Sequence, residues 1–194
     1  MKLFGLAAVA VWATTLYAQD APGAYSLDAL ITRAPLVVVS TVTDRRAEWE
    51  HYGASRLIIT KVTLEVEQTL KGSSPRTLTI DVMGGTIGDE TQRVSHTPEF
   101  RVGDRDVLFL NNAPRSVSPL VGSDQGRFRV MTDSATGVAR VLTRGFAPLV
   151  SAADIGADAS APGRPLVTSM AAALSLSDFV TLVRDRARVL EQRR

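Results

Sequence analysis

Leu57-Ile58-Ile59-Thr60-Lys61-Val62-Thr63-Leu64-Glu65-Val66-Glu67-Gln68-Thr69 is the stretch on which the fold turns. Ile58, Thr60, Val62, Leu64 and Val66 alternate with Ile59, Lys61, Thr63, Glu65 and Glu67, the period of two that sends one set inward and the other toward water. A slip of one residue would turn Lys61, Glu65 and Glu67 into the core, so the register is strongly specified. At about 3.3 Å per residue the run spans on the order of 40 Å, too long to lie flat in a small domain. Such a strand is expected to coil and to serve both halves of a closed or nearly closed barrel.

Working outward, Ser26 is placed to cap a short helix in which Leu27, Leu30 and Ile31 share a face, closed by Pro35. Residues 36–43 are rich in β-branched side chains and predict a strand, whereas the charges and Gly53 of 44–55 predict a loop. Lys71-Gly72-Ser73-Ser74-Pro75 predicts a turn into a strand with Leu78, Ile80 and Val82 inward, ended by Gly84-Gly85. A long polar connection follows to Arg101. Val107, Leu108, Phe109 and Leu110 predict a short strand apolar on both faces. Phe128 and Val130 alternate with Arg127 and Arg129, and residues 133–137 predict a hairpin turn into 138–143. Ser175 and Asp178 have capping-box spacing before an apolar stripe of Leu176, Phe179, Leu182, Val183, Val189 and Leu190. Six closely spaced strands with one terminal helix predict a mainly β domain, a small barrel or sandwich.

The N-terminus predicts export. Lys2 precedes an uncharged, mostly apolar run from Leu3 to Leu16, and Leu16-Tyr17-Ala18 offers a cleavage site before Gln19. A span needs about 20 apolar residues, and this run ends sooner, so no membrane span is expected after cleavage. The expected organisation is a signal peptide at 1–18, a β domain at 19–150, an Ala/Gly/Pro-rich linker at 151–173 and a helix at 174–194. The expected location is periplasmic or secreted. With no cysteine, the fold must hold by packing alone, and thiolate metal sites and a lipidated cysteine are excluded. The net charge is +2, carried by 19 Arg and 3 Lys against 20 acids, which together with export argues against a nucleic-acid partner.

Three motifs carry a resemblance: Ala34-Pro35-Leu36-Val37-Val38-Val39-Ser40-Thr41-Val42, Val66-Glu67-Gln68-Thr69-Leu70-Lys71-Gly72, and Phe100-Arg101-Val102-Gly103-Asp104-Arg105-Asp106-Val107-Leu108-Phe109-Leu110. Gln125-Gly126-Arg127-Phe128-Arg129-Val130 extends it. Over residues 26–143 the chain resembles exported bacterial proteins with an OB-like barrel, of the type seen in netrin-like and metalloprotease-inhibitor domains. The resemblance implies a small OB-like antiparallel β-barrel of about six strands, with a short N-terminal helix and a C-terminal amphipathic helix. It implies a fold and no reaction. The inhibitors engage the protease metal through an N-terminal cysteine, which this chain lacks.

No nucleophile elbow, metalloprotease helix, P-loop or dinucleotide fingerprint is present. Glu48, Glu50, His51, Asp89, Glu90, His96 and Glu99 have the right types for zinc, yet their spacings match no compact site, and no metal or other cofactor is expected. Trp49 and Tyr52 sit in a predicted polar loop, where aromatics are not needed for packing. With His51 they are the candidate ligand-binding residues, and His96 joins them if the loops 44–55 and 84–100 share one end of the barrel. The leading expectation is an exported non-enzymatic interaction module for a protein, peptide or saccharide of the cell envelope. The alternative is an exported hydrolase built around His51 and His96.

Overall fold

The computed structural model describes residues 23–52, 55–111, 118–157 and 168–193. The expected signal peptide and part of the expected linker lie outside the described residues. Ser26 accepts from the Ala29 N–H and caps the first helix, α1 (Leu27–Arg33), with Leu27, Leu30 and Ile31 buried. Eight strands follow among the described residues: β1 (Leu36–Tyr52), β2 (Ser55–Lys71), β3 (Thr77–Met83), β4 (Gly85–Ile87), β5 (Glu90–Gln92), β6 (Arg105–Leu110), β7 (Arg127–Thr132) and β8 (Ala139–Leu142). The last helix is α2 (Leu176–Gln192), capped by Ser175, which accepts from the Asp178 N–H. The fold is mainly β, as expected. No helix among the described residues is long and apolar enough to cross a membrane.

The six long strands form one antiparallel sheet in the order β3-β2-β1-β6-β7-β8, and β4 pairs only with β5. No ladder joins β3 to β8 among the described residues, so the expected barrel closure is not found and the sheet is open. The β8 edge is taken up instead: the Leu149 N–H donates to Val141 at 3.1 Å and the Val141 N–H to Leu174 at 2.9 Å.

The predicted loop at 44–55 is also corrected, because β1 and β2 form one hairpin of seventeen residues per strand. Its distal half has no clean apolar period. It is held by the ladder and by cross-strand charge pairs: Lys61 lies 2.5 Å from Glu50, 2.9 Å from Asp81 and 3.7 Å from Glu48. The Glu50 and Asp81 hydrogen bonds outweigh burial and hold the Lys61 ammonium well above its ordinary pKa. The β1–β2 ladder carries register shifts between Val37 and Val38, Val39 and Ser40, and Val42 and Asp44, irregularities of the kind that bend a strand and add local twist.

Two cores lie on opposite faces of the central pair β1 and β6. Val37, Val39, Val107, Phe109, Phe128 and Val130 pack with α1 and α2 on one face. Val38, Val42, Val62, Leu64, Ile80, Val82, Leu108 and Phe100 pack on the other. Residues at the centre of β1 and β6 are therefore buried on both sides, which is why those strands read as continuous apolar runs. Helix α2 docks through Phe179, whose ring centroid lies 5.2 Å from that of Phe128. Arg186 of α2 also donates to Asp28 of α1, with one nitrogen–oxygen distance of 2.9 Å.

The Lys71-Gly72 corner has a specific purpose. Lys71 donates to the carbonyl oxygens of Ile31 and Ala34, the C-terminal groups that α1 cannot satisfy internally. Gly72 has φ +79°, and a Cβ there would meet the Pro35 carbonyl oxygen at 2.4 Å, so only glycine fits.

Candidate functional site

The predicted site residues are placed as follows. Trp49 pairs with Ile58 and His51 with Arg56, so Trp49 and His51 share one face of the distal hairpin. Tyr52 pairs with Ser55 at the hairpin end. Trp49 is half-buried, and the Arg56 guanidinium stands 4.4 Å above its ring. His51 is exposed. His96 belongs to a different segment, the connection from β5 to β6, where it is exposed with φ 62°. No hydrogen bond or ion pair joins His96 to Trp49 or His51 among the described residues.

The segment 84–100, expected only as a long polar connection, folds back on the hairpin and contains β4 and β5. Gly84 and Gly85 reverse the chain after β3, and β4 and β5 then lie across the face that carries Trp49 and His51. Two side chains hold this turn. Thr60 donates to the Gly84 carbonyl at 2.6 Å, and Gln92 accepts from the Ile58 N–H at 2.6 Å. Gln92 thereby takes a ladder position that β3 has left. A Cβ on Gly85 would sit 2.5 Å from Thr60 Oγ1, so the glycine pair is dictated by close approach and not by an anion.

Between this small hairpin, the end of β3 and the connection 93–100 lies a cleft of about 420 Å³. Its walls include Arg45, Thr60, Met83, Arg93, Thr97 and Phe100. By strand alternation Arg45 shares the face of Trp49 and His51, so the cleft and the hairpin-end residues open on one side of the molecule. Trp49, His51 and His96 are not among its lining residues. Arg45 and Arg93 make no ion pair among the described residues, and Glu99 is the one carboxylate in the lining. The walls thus offer hydroxyls, backbone groups and two guanidinium groups, a set suited to holding a polar chain.

The outer wall of the cleft is fastened by a buried charge cluster that sequence reading missed. Arg127 is only 5% exposed and donates to the Glu99 carbonyl at 2.6 Å and to Asp104 and Asp106 at 2.8 Å each. Its guanidinium lies 4.1 Å from the ring of Phe100. Arg129 completes the cluster, 2.5 Å from Asp104 and 3.5 Å from Asp106. Burial pushes the Asp106 carboxyl upward, opposed by the Arg127 hydrogen bond and by both guanidinium charges. Arg127, which the sequence shows only as alternating with Phe128 and Val130, is thus core-facing, paired and hydrogen-bonded. The available signal was the spacing itself, since Asp104 and Asp106, like Arg127 and Arg129, stand two apart and so share a face.

Glu48 and Glu50 turn to Lys61, and no group of three or more His, Asp or Glu arranged to hold a metal ion is present among the described residues. Comparison with family models, curated proteins and solved structures returns no match.

Proposed function

We propose that this chain is an exported, non-enzymatic interaction module that holds an envelope ligand in the cleft between the β1–β2 hairpin and the segment 84–100. The observation that carries the reading is the cleft itself, with Arg45 and Arg93, which make no ion pair among the described residues, in its walls. Its outer wall is pinned to the sheet by Arg127, which makes it a preformed surface. Trp49 and His51, on the same face, extend the contact surface toward the hairpin end.

The test is site-specific photo-crosslinking in the native envelope. A photoreactive residue in place of Thr91, at the cleft, is expected to yield a defined adduct, and one in place of Arg188, on the exposed side of α2, none. Equal adducts from both positions would remove the cleft from consideration. Turnover in an esterase, glycosidase and peptidase panel that disappears in His51→Ala or His96→Ala would replace this reading with the hydrolase.

A further inference from the structure

The two edges of the six-stranded sheet are finished differently. At β8 the chain closes the edge with the Leu149 and Leu174 hydrogen bonds described above. At β3 nothing equivalent is present among the described residues. The Val66 N–H donates to Arg76 at 2.7 Å and the Gly84 N–H to Ile58 at 2.8 Å, just beyond the two ends of β3. Antiparallel hydrogen-bonded pairs recur at every second residue, so Leu78, Ile80 and Val82 bond β2. Thr77, Thr79, Asp81 and Met83 consequently aim their N–H and C=O groups away from the sheet.

Among the described residues this edge lacks the usual protection. β3 pairs with β2 without a register shift and contains neither proline nor lysine. Its single charged side chain, Asp81, is already engaged by Lys61. Val82 and Met83 also line the cleft, so alternate side chains of a strand laid along β3 would enter the cleft mouth. There Arg45 and Arg93 outnumber Glu99, which favours an occupant with acidic side chains.

We propose that β3 accepts an extended acidic segment of a partner polypeptide as a seventh strand, its backbone pairing with Thr77, Thr79, Asp81 and Met83 and its acidic side chains facing Arg93 and Arg45. The inference rests on the interaction-module reading and deepens it by naming the partner's chemistry and the edge it uses. Main-chain pairing supplies the affinity, and the cleft arginines supply the selection.

Amide hydrogen exchange on the full chain tests it, using a synthetic peptide of about eight residues alternating valine and glutamate, and its valine–lysine counterpart. The acidic peptide is expected to slow exchange at Thr79 and Asp81 about tenfold or more, and the basic peptide to leave it unchanged. Thr79→Pro removes an outward N–H at an edge position that tolerates proline, and should abolish binding while Thr79→Val retains it. Arg93→Glu should weaken the acidic peptide selectively. Should Thr79→Pro fail to fold, the exchange pattern of the unmodified chain decides alone. Peptide-induced changes confined to Arg93 and Thr97, without protection at Thr79 and Asp81, overturn strand addition while leaving the cleft reading intact. A crosslink at Thr91 with neither peptide bound at millimolar concentration does the same. Protection that rises with protein concentration in the absence of peptide assigns the edge to a second copy of the chain, and overturns the proposal.

Discussion

Lys71 donates from Nζ to the carbonyl oxygen of Ile31 at 2.6 Å, across 40 positions of sequence. A second bond from the same ammonium reaches Ala34 at 2.8 Å. A side chain at the end of the longest hairpin thus terminates the first helix. Lys71→Met keeps the stem and removes the charge and the donors, so it should cost about 1.5–3 kcal/mol, the range for a hydrogen bond to a charged group. Urea titration checks this, and an unchanged midpoint would show that water replaces the cap at no cost.

The hairpin register gives a second expectation. Val62 is 1% exposed and sits in the core beneath Phe100, whereas Thr63 is half-buried on the opposite face. Val62→Asp should lower stability by several kcal/mol, because it buries an unpaired carboxylate. Thr63→Asp should stay within about 1 kcal/mol. Equal losses in thermal unfolding would contradict the register.

Phe179 makes the third case. Its side chain is fully buried against Phe128, and Phe179→Ala should cost about 3–5 kcal/mol. Leu190, only half-buried on the same helix, should cost visibly less when truncated. Calorimetric melting of the two variants orders them.

Arg127 gives an expectation with a pH dependence. Arg127→Met leaves Asp104 and Asp106 buried without their main partner, a loss of about 3–5 kcal/mol at neutral pH. Burial already raises the Asp106 pKa, and removing the opposing guanidinium raises it further. A carboxyl whose folded pKa lies above its unfolded value contributes stability below the unfolded value and loses it as pH rises through the folded one. The deficit of Arg127→Met should therefore shrink on acidification. Glu67 has the opposite sign, since hydrogen bonds from Arg105 and then Thr41 hold its carboxyl below the ordinary range. Its contribution is present above the unfolded pKa and fades as pH falls through the folded one, so Glu67→Gln should flatten the acid limb of the stability curve by less than about 1 kcal/mol. Denaturant midpoints measured across the carboxylate range separate the two.

Much of the sheet was legible because burial on one face leaves a period of two, as in Ile58 to Val66 and Leu78 to Val82. Both helices were legible through their serine caps. The distal hairpin was not, because Asp44 to Glu50 owe their strand to pairing partners and charge pairs that sequence distance conceals. β4 and β5 escaped notice since two side chains, Thr60 and Gln92, hold them in place. At the site, Trp49, His51 and Tyr52 do lie together at one hairpin end, but the cleft walls come from residues whose only mark in sequence is polarity. The role of Arg127 was not legible for a related reason: a buried arginine looks like a solvated one until its carboxylate partners, more than 20 positions earlier, are placed beside it.

Helix α2 closes the larger core against α1, so the beginning and the end of the described chain are neighbours, tied by Arg186 and Asp28. Synthesis runs from the N-terminus, and everything through β8 is made before Phe179 and Val183 exist to cover Val37, Phe109 and Phe128. Until then the nascent polypeptide can form its hairpin but cannot bury that face. Completion is a late, single event, and a chain cut short before Leu176 would present an uncovered apolar sheet to every other chain in its compartment.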